Sequence, residues 1–226
     1  MAFNRVRSAP DLVPLRNVLV SAYDKAGLPE LVRSVAALCP GSRFFATGGS
    51  LETVRDALGD RAAGRAVSVS EYTGQPEMQG GLVKTLDWKI YLGLLAEGGN
   101  EAHAADLERA GALAFDAVIG NLYPFAEAAA DPASGVEELR QRIDIGGPAM
   151  IRAAAKNFLR VAAVSDPGQY GLLLSELRSF EGSTGLSFRR RLAAEAFGRV
   201  SRFDGLVAER LAALDTAALD AAYDIE

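Results

Sequence analysis

The chain has 226 residues, of which 49% are hydrophobic, enough for a substantial globular core in one large domain or two small ones. A formal net charge of -5 argues against a broad basic face for nucleic acid or an anionic membrane, so any anionic ligand has to be caught locally. The single cysteine, Cys39, excludes an internal disulfide and suits a reducing compartment, and no stretch approaches the roughly 20 apolar residues of a membrane span.

Residues 1–16 lack an apolar signal region and are expected to be a loosely ordered start to a cytoplasmic protein. Asn17 to Ala22, NVLVSA, reads as a strand, and Leu28, Leu31, Val32, Val35 and Leu38 then recur at helical spacing. A second strand-loop-helix unit follows as RFFA, TGGS and LETVRDAL, with Ser50 the expected N-cap. Cys39, at the end of the first helical pattern, reads as buried and inert.

AVSVS, Ala66 to Ser70, is a short strand, after which EYTGQPEMQGGLVKT is a long turn-rich segment of the kind that often carries function. Leu86 to Ala96 and Glu101 to Ala110 read as helices, and FDAVIGNLY as an apolar strand ending in a polar loop. A loop from Asp131 to Gly135 precedes the short helix VEELRQRI. In IDIGGPAMIRAAAKNF, Asp144 falls in a glycine-rich loop and Lys156 on the helix that Pro148 starts. RVAAVS, Arg160 to Ser165, is the last strand expected, and the remainder is helical over Gln169 to Phe180 and roughly Ser187 to Leu214. The arginines at 189 to 191 read as a solvated helix start. Strands alternating with helices predict a single α/β domain over 17–226, with a mainly parallel sheet and a helical C-terminal extension.

In such a sheet, ligands bind beyond the carboxyl ends of the strands. Thr47-Gly48-Gly49-Ser50 offers backbone N–H groups and two hydroxyls to a phosphate, and Tyr23-Asp24-Lys25 occupies the equivalent loop of the first unit, with Lys25 supplying charge. Either loop alone also fits ordinary turn chemistry. The other polar candidates are Lys84, Thr85, Asn121, Tyr123, Asp144 and Lys156. His103, the only histidine, lies in a helical segment, which leaves zinc sites and a Ser-His-acid triad poorly supported. Lysines, a tyrosine and a carboxylate suit proton transfer and oxyanion stabilisation, with no metal or other cofactor expected.

NVLVSAYDKAGL, FFATGGS, SEYTGQPEM, GGLVKTL, VIGNLYPF, IDIGGPAMIRAAAKN and RRRLAAEAF occur here in the order in which they occur in the IMP cyclohydrolase domain of the bifunctional AICAR transformylase/IMP cyclohydrolase family, which the chain resembles over roughly Asn17 to Leu214. The resemblance implies a methylglyoxal-synthase-like fold, a homodimer, and closure of 5-formyl-AICAR to IMP with loss of water. A separate AICAR transformylase would be its partner, and neither nucleic acid nor membrane would be. It places the nucleotide phosphate against Tyr23, Asp24, Lys25, Thr47, Gly48, Gly49 and Ser50. The base falls near Lys84, Thr85, Gly120, Asn121, Asp144 and Ile145, and the catalytic positions are Lys84, Tyr123, Asp144 and Lys156. Departures from the family pattern fall at Tyr23, usually a small serine; Leu82, usually arginine; Asp87-Trp88, usually His-Pro; and Tyr91, usually histidine. The alternatives are a non-catalytic nucleotide- or phosphate-binding regulatory module of the same fold and methylglyoxal synthase itself. Tyr123, Asp144 and Lys156 weigh against the first, and the long C-terminal helices against the second.

Overall fold

The structure is a computed structural model and describes residues 6–76, 83–131 and 133–224. The chain opens with strands β1 (Leu12–Pro14) and β2 (Asn17–Ala22), then α1 (Leu28–Leu38), β3 (Arg43–Ala46), α2 (Gly48–Leu58) and β4 (Ala66–Ser68). Helices α3 (Val69–Thr73), α4 (Trp88–Leu95) and α5 (Glu101–Ala110) lead to β5 (Ala117–Asn121). Helices α6 (Phe125–Ala130), α7 (Val136–Gln141) and α8 (Gly146–Lys156) precede β6 (Ala162–Val164). The chain continues as α9 (Tyr170–Ser179), β7 (Ser183–Gly185), α10 (Leu186–Ala212) and α11 (Thr216–Ala222).

Five strands form one sheet in the order β4-β3-β2-β5-β6, and every neighbouring pair in it is parallel. The residues sort by the two-residue period of a strand covered on both faces. Val18, Val20, Phe44, Ala117, Ile119, Ala162 and Val164 join a core cluster with Leu28 and Val32 of α1, Val54 of α2 and Leu173 of α9. Leu19, Phe45, Val118 and Ala163 point into the opposite cluster, with Ile90 of α4, Met150 and Ala154 of α8 and Ala196 of α10. This is the α/β architecture expected, a mainly parallel sheet flanked by helices with a helical C-terminal extension.

Several local expectations give way to tertiary structure. The strand expected over Ala66–Ser70 stops at Ser68, whose hydroxyl accepts from Glu71 N at 3.5 Å and caps α3. Within the start expected to be loosely ordered, Leu12–Pro14 forms β1, which pairs antiparallel with β7. Arg189 is the physical reason. It is fully buried rather than solvated, and its five N–H donors all find backbone carbonyls. Nε donates to Phe158 O (3.1 Å), Nη1 to Asp11 O (3.1 Å) and Thr184 O, and Nη2 to Pro10 O (2.8 Å) and Leu159 O (3.0 Å). One guanidinium thus ties the N-terminal segment to the entry of β6 and to β7.

Candidate active site

The sheet's strand order runs outward from β2 through β3 to β4 on one side, and through β5 to β6 on the other, so the carboxyl ends of β2 and β5 flank the switch point. The loops after β2, β3 and β5, together with residues 84–85 and 143–147, close around a pocket there. Thr47, not Ser50, is the N-cap residue of α2, with extended backbone angles. Ser50 instead sits inside the first turn, where its buried hydroxyl accepts from Ala22 N (3.0 Å) and donates to Ala22 O (3.2 Å), riveting α2 to β2. Thr47 Oγ1 lies 3.3 Å from Ser21 Oγ.

The first-turn amides of α2 point a partial positive charge into the pocket, and two ammonium groups reinforce it. Gly48 has φ +41°, and a methyl built on it would lie 3.2 Å from Lys84 Nζ; one built on Gly49 would lie 3.4 Å from Lys25 Cε. Lys25 Nζ also donates to Tyr23 O at 3.3 Å. An acidic chain therefore concentrates two lysines at one helix N-terminus, a local anion cradle.

The facing wall carries the titratable groups. Asp144, half-buried, accepts from Gly147 N at 2.8 Å and from the backbone N–H of Tyr123. Burial nevertheless raises its carboxyl above the ordinary value, the two hydrogen bonds opposing that rise. A methyl on Gly147 would fall 2.3 Å from Asp144 Oδ2, so the carboxylate occupies space that only a glycine leaves open. Tyr123 is raised too, by burial first and then by the charges of Asp144 and Tyr23, which keeps its phenol a neutral donor at physiological pH. Its ring stands edge-on to that of Tyr23, with centroids 5.3 Å apart.

Of the expected site residues, Tyr23, Lys25, Thr47, Gly49, Ser50, Lys84, Thr85, Asn121, Tyr123, Asp144 and Ile145 line this one pocket. Gly48 lies beneath Lys84. Asp24 faces an adjoining cleft and folds back to accept from Ala26 N at 2.8 Å. The Asn121 amide is committed to a clamp, accepting from Asp24 N and donating to Asp24 O, both at 2.8 Å. Gly120 is an approach position, where a side chain would meet Ser21 O at 3.0 Å and Met150 Cε at 3.1 Å.

Lys156 is not brought to the pocket of its own chain. It is exposed in the last turn of α8, about 15 Å along the helix from Gly146, in a groove with Tyr91 and Phe197. Ser21, Gln141, Ile143 and Gly147 line the pocket without having been singled out as site residues. Ser21 alone had a signal, as the one polar side chain between Val18 and Ala22 in an apolar strand.

At the departures, Asp87 caps α4 by accepting from Lys89 N at 2.7 Å, and Trp88 stands 73% exposed. Tyr91 has a buried hydroxyl, and burial pushes its pKa up to about 12. Leu82 lies outside the described residues. Among the described residues no group of three or more His, Cys, Asp or Glu is placed to hold a metal, and no helix is long and apolar enough to cross a membrane.

Comparison with known proteins gives three consistent findings. A family model described as the AICARFT/IMPCHase bienzyme matches residues 154–225. The chain is 46% identical over 200 residues to the bifunctional purine biosynthesis protein PurH of Dinoroseobacter shibae, covering 87% of this chain and 36% of that protein. It is 44% identical over 203 residues to the protein of the same name from Mesorhizobium japonicum, covering 88% and 36%. The chain thus spans little more than a third of the length of these relatives. The crystal structure of ForH is similar with a TM-score of 0.71 and 31% identity, over 87% of this chain and 99% of that one.

Proposed function

Because the chain belongs to the AICARFT/IMPCHase family, we propose that it is an IMP cyclohydrolase, closing 5-formyl-AICAR to IMP with loss of water. The observation that carries this reading is the placement of Asp144 and Tyr123 opposite the Lys25, Lys84 and Thr47 cradle within a single pocket. The cradle takes the 5′-phosphate, which sets the carboxamide and formyl groups against the other wall.

Ring closure joins the carboxamide nitrogen to the formyl carbon, and the formyl oxygen leaves as water. An amide nitrogen is a poor nucleophile. Asp144 accepts its hydrogen bond and takes the proton as the new C–N bond forms, while Tyr123 and Lys84 donate to the oxygen on which charge develops. The same donors protonate that oxygen as it departs, and the formylamino nitrogen gives up its N–H proton to solvent as the ring C=N bond forms. Because the reaction is intramolecular, holding the two groups face to face supplies much of the acceleration. A phosphate sensor has no need of a half-buried carboxylate beside a neutral phenol, which weighs against the regulatory alternative.

The reading assigns Lys156 a role across a homodimer, since in a single chain it lies at the far end of α8. It sets the protein in the cytoplasm. Adding 5-formyl-AICAR to chelator-treated protein and following IMP formation tests the activity; folded protein that does not exceed the spontaneous rate overturns it. Mixing inactive Asp144→Asn and Lys156→Ala chains tests the dimer, because one intact site per mixed pair restores activity only if the lysine comes from the partner.

A further inference from the structure

Beside the nucleotide pocket, the carboxyl edge of the sheet opens a second cleft of about 830 Å³, over the ends of β5 and β6. Tyr23, Lys25 and Asn121 line both cavities and form the wall between them. The far wall is Ser165 and Asp166 after β6, with Arg199 and Arg202 from α10.

Buried polar groups without partners are rare in folded proteins, and each calls for an explanation. Two of them line this cleft: Ser165 Oγ and Arg199 Nε have no hydrogen-bond partner among the described residues. Ser165 is 4% exposed. Both groups can donate a hydrogen bond, and one of them is charged.

The carboxylates that could answer them are already engaged. Asp166 pairs with Arg199 Nη1 at 2.7 Å and accepts from Gly168 N at 2.7 Å, and Asp24 accepts from Ala26 N. Arg202 has no ion-pair partner among the described residues, and Lys25 stands on the shared wall. Of the three carboxylates lining the cleft, Asp166 is neutralised by Arg199, while Asp24 and Glu127, the latter exposed on α6, oppose an anion. Unmet donors beside an unpaired guanidinium call for an acceptor-rich ligand of negative charge.

We propose that this cleft binds a small oxyanion, of which inorganic phosphate is the simplest, separately from the nucleotide. Because Lys25 lines both cavities, an anion in the cleft draws on the charge that holds the nucleotide phosphate, so the two ligands oppose each other. This second half rests on the nucleotide reading of the adjoining pocket.

The test is calorimetric titration of phosphate into the full chain at constant ionic strength, with and without saturating IMP. One phosphate should still bind with IMP present, and phosphate should weaken IMP about fivefold. Arg202→Gln should weaken the retained phosphate about tenfold or more, the loss expected of one charge-assisted hydrogen bond. Ser165→Ala should weaken it less, and Glu127→Gln should tighten it. Absence of phosphate binding with IMP bound, or affinity indifferent to Arg202→Gln, overturns the site. Should IMP itself fail to bind, the nucleotide reading falls, while the dependence of phosphate binding on Arg202 still decides the cleft.

Discussion

A single methyl group at Gly147 should silence the pocket while leaving the fold standing. The added carbon would lie 2.3 Å from Asp144 Oδ2 and 3.0 Å from its Cγ, so the carboxylate must swing away and release the 2.8 Å hydrogen bond from Gly147 N. A hydrogen bond to a charged group contributes about 1.5–3 kcal/mol. If that is lost from the group that accepts the amide proton, turnover falls roughly 10- to 150-fold. Stability moves differently. Alanine in a helix is favoured over glycine by about 1 kcal/mol, which offsets the strain of displacing a short, partly exposed side chain. For a domain of this size that difference corresponds to about 2–4 °C in melting temperature. The assay is IMP formation at saturating 5-formyl-AICAR beside a thermal melt of the same sample. Turnover of Gly147→Ala within twofold of the parent refutes the reasoning, as does a lost activity accompanied by a melting point more than about 10 °C lower.

Arg189→Leu leaves five carbonyls without their donor and should cost about 3–5 kcal/mol, read as a lower urea midpoint. Asp144→Asn should abolish turnover yet melt higher than the parent near neutral pH. Burial raises the folded carboxyl above its ordinary value, so the native state keeps a proton that the unfolded chain sheds as pH climbs through that window, and stability is lost across it. The advantage of the variant should vanish below the ordinary carboxylate value, and an equal difference in acid counts against it. Lys25→Ala should weaken IMP in calorimetry with turnover at saturation largely kept, while Lys156→Ala should do the reverse; equal binding losses in both contradict the division.

What the sequence could convey depended on distance along the chain. The spacing of Leu28, Leu31, Val32 and Val35 marks α1, and short apolar runs mark β2, β3 and β5, because each pattern is complete within one element. Thr47 and Lys25 were legible as lining one pocket because parallel neighbours bring successive strand-end loops side by side. Strands β1 and β7 were not, since each is three residues long and acquires its partner from the other end of the chain. The arginine triplet hid one buried member, for nothing local distinguishes Arg189 from Arg190 until Pro10, Leu159 and Thr184 converge on it. Asn121 is polar and follows a strand, like a ligand-binding residue, yet both ends of its amide are taken by Asp24. Lys156 follows Asp144 by a single helix, and it is the length of that helix that separates them.

The pairing of Pro14 with Ser183 also sets a timetable for synthesis. All five strands of the parallel sheet have been made once Val164 has emerged, but β1 must wait for β7, and Pro10 and Asp11 for Arg189. At roughly 5–20 residues per second the interval between making Pro14 and making Ser183 is about 8–35 s. During that time β1 has no mate, and Val13 and Leu15, which end 5% and 3% exposed, face water. A nascent chain stalled before residue 183 therefore holds all five parallel strands with an uncovered apolar thread at Val13 and Leu15, which is the form a chaperone or protease on the ribosome would meet.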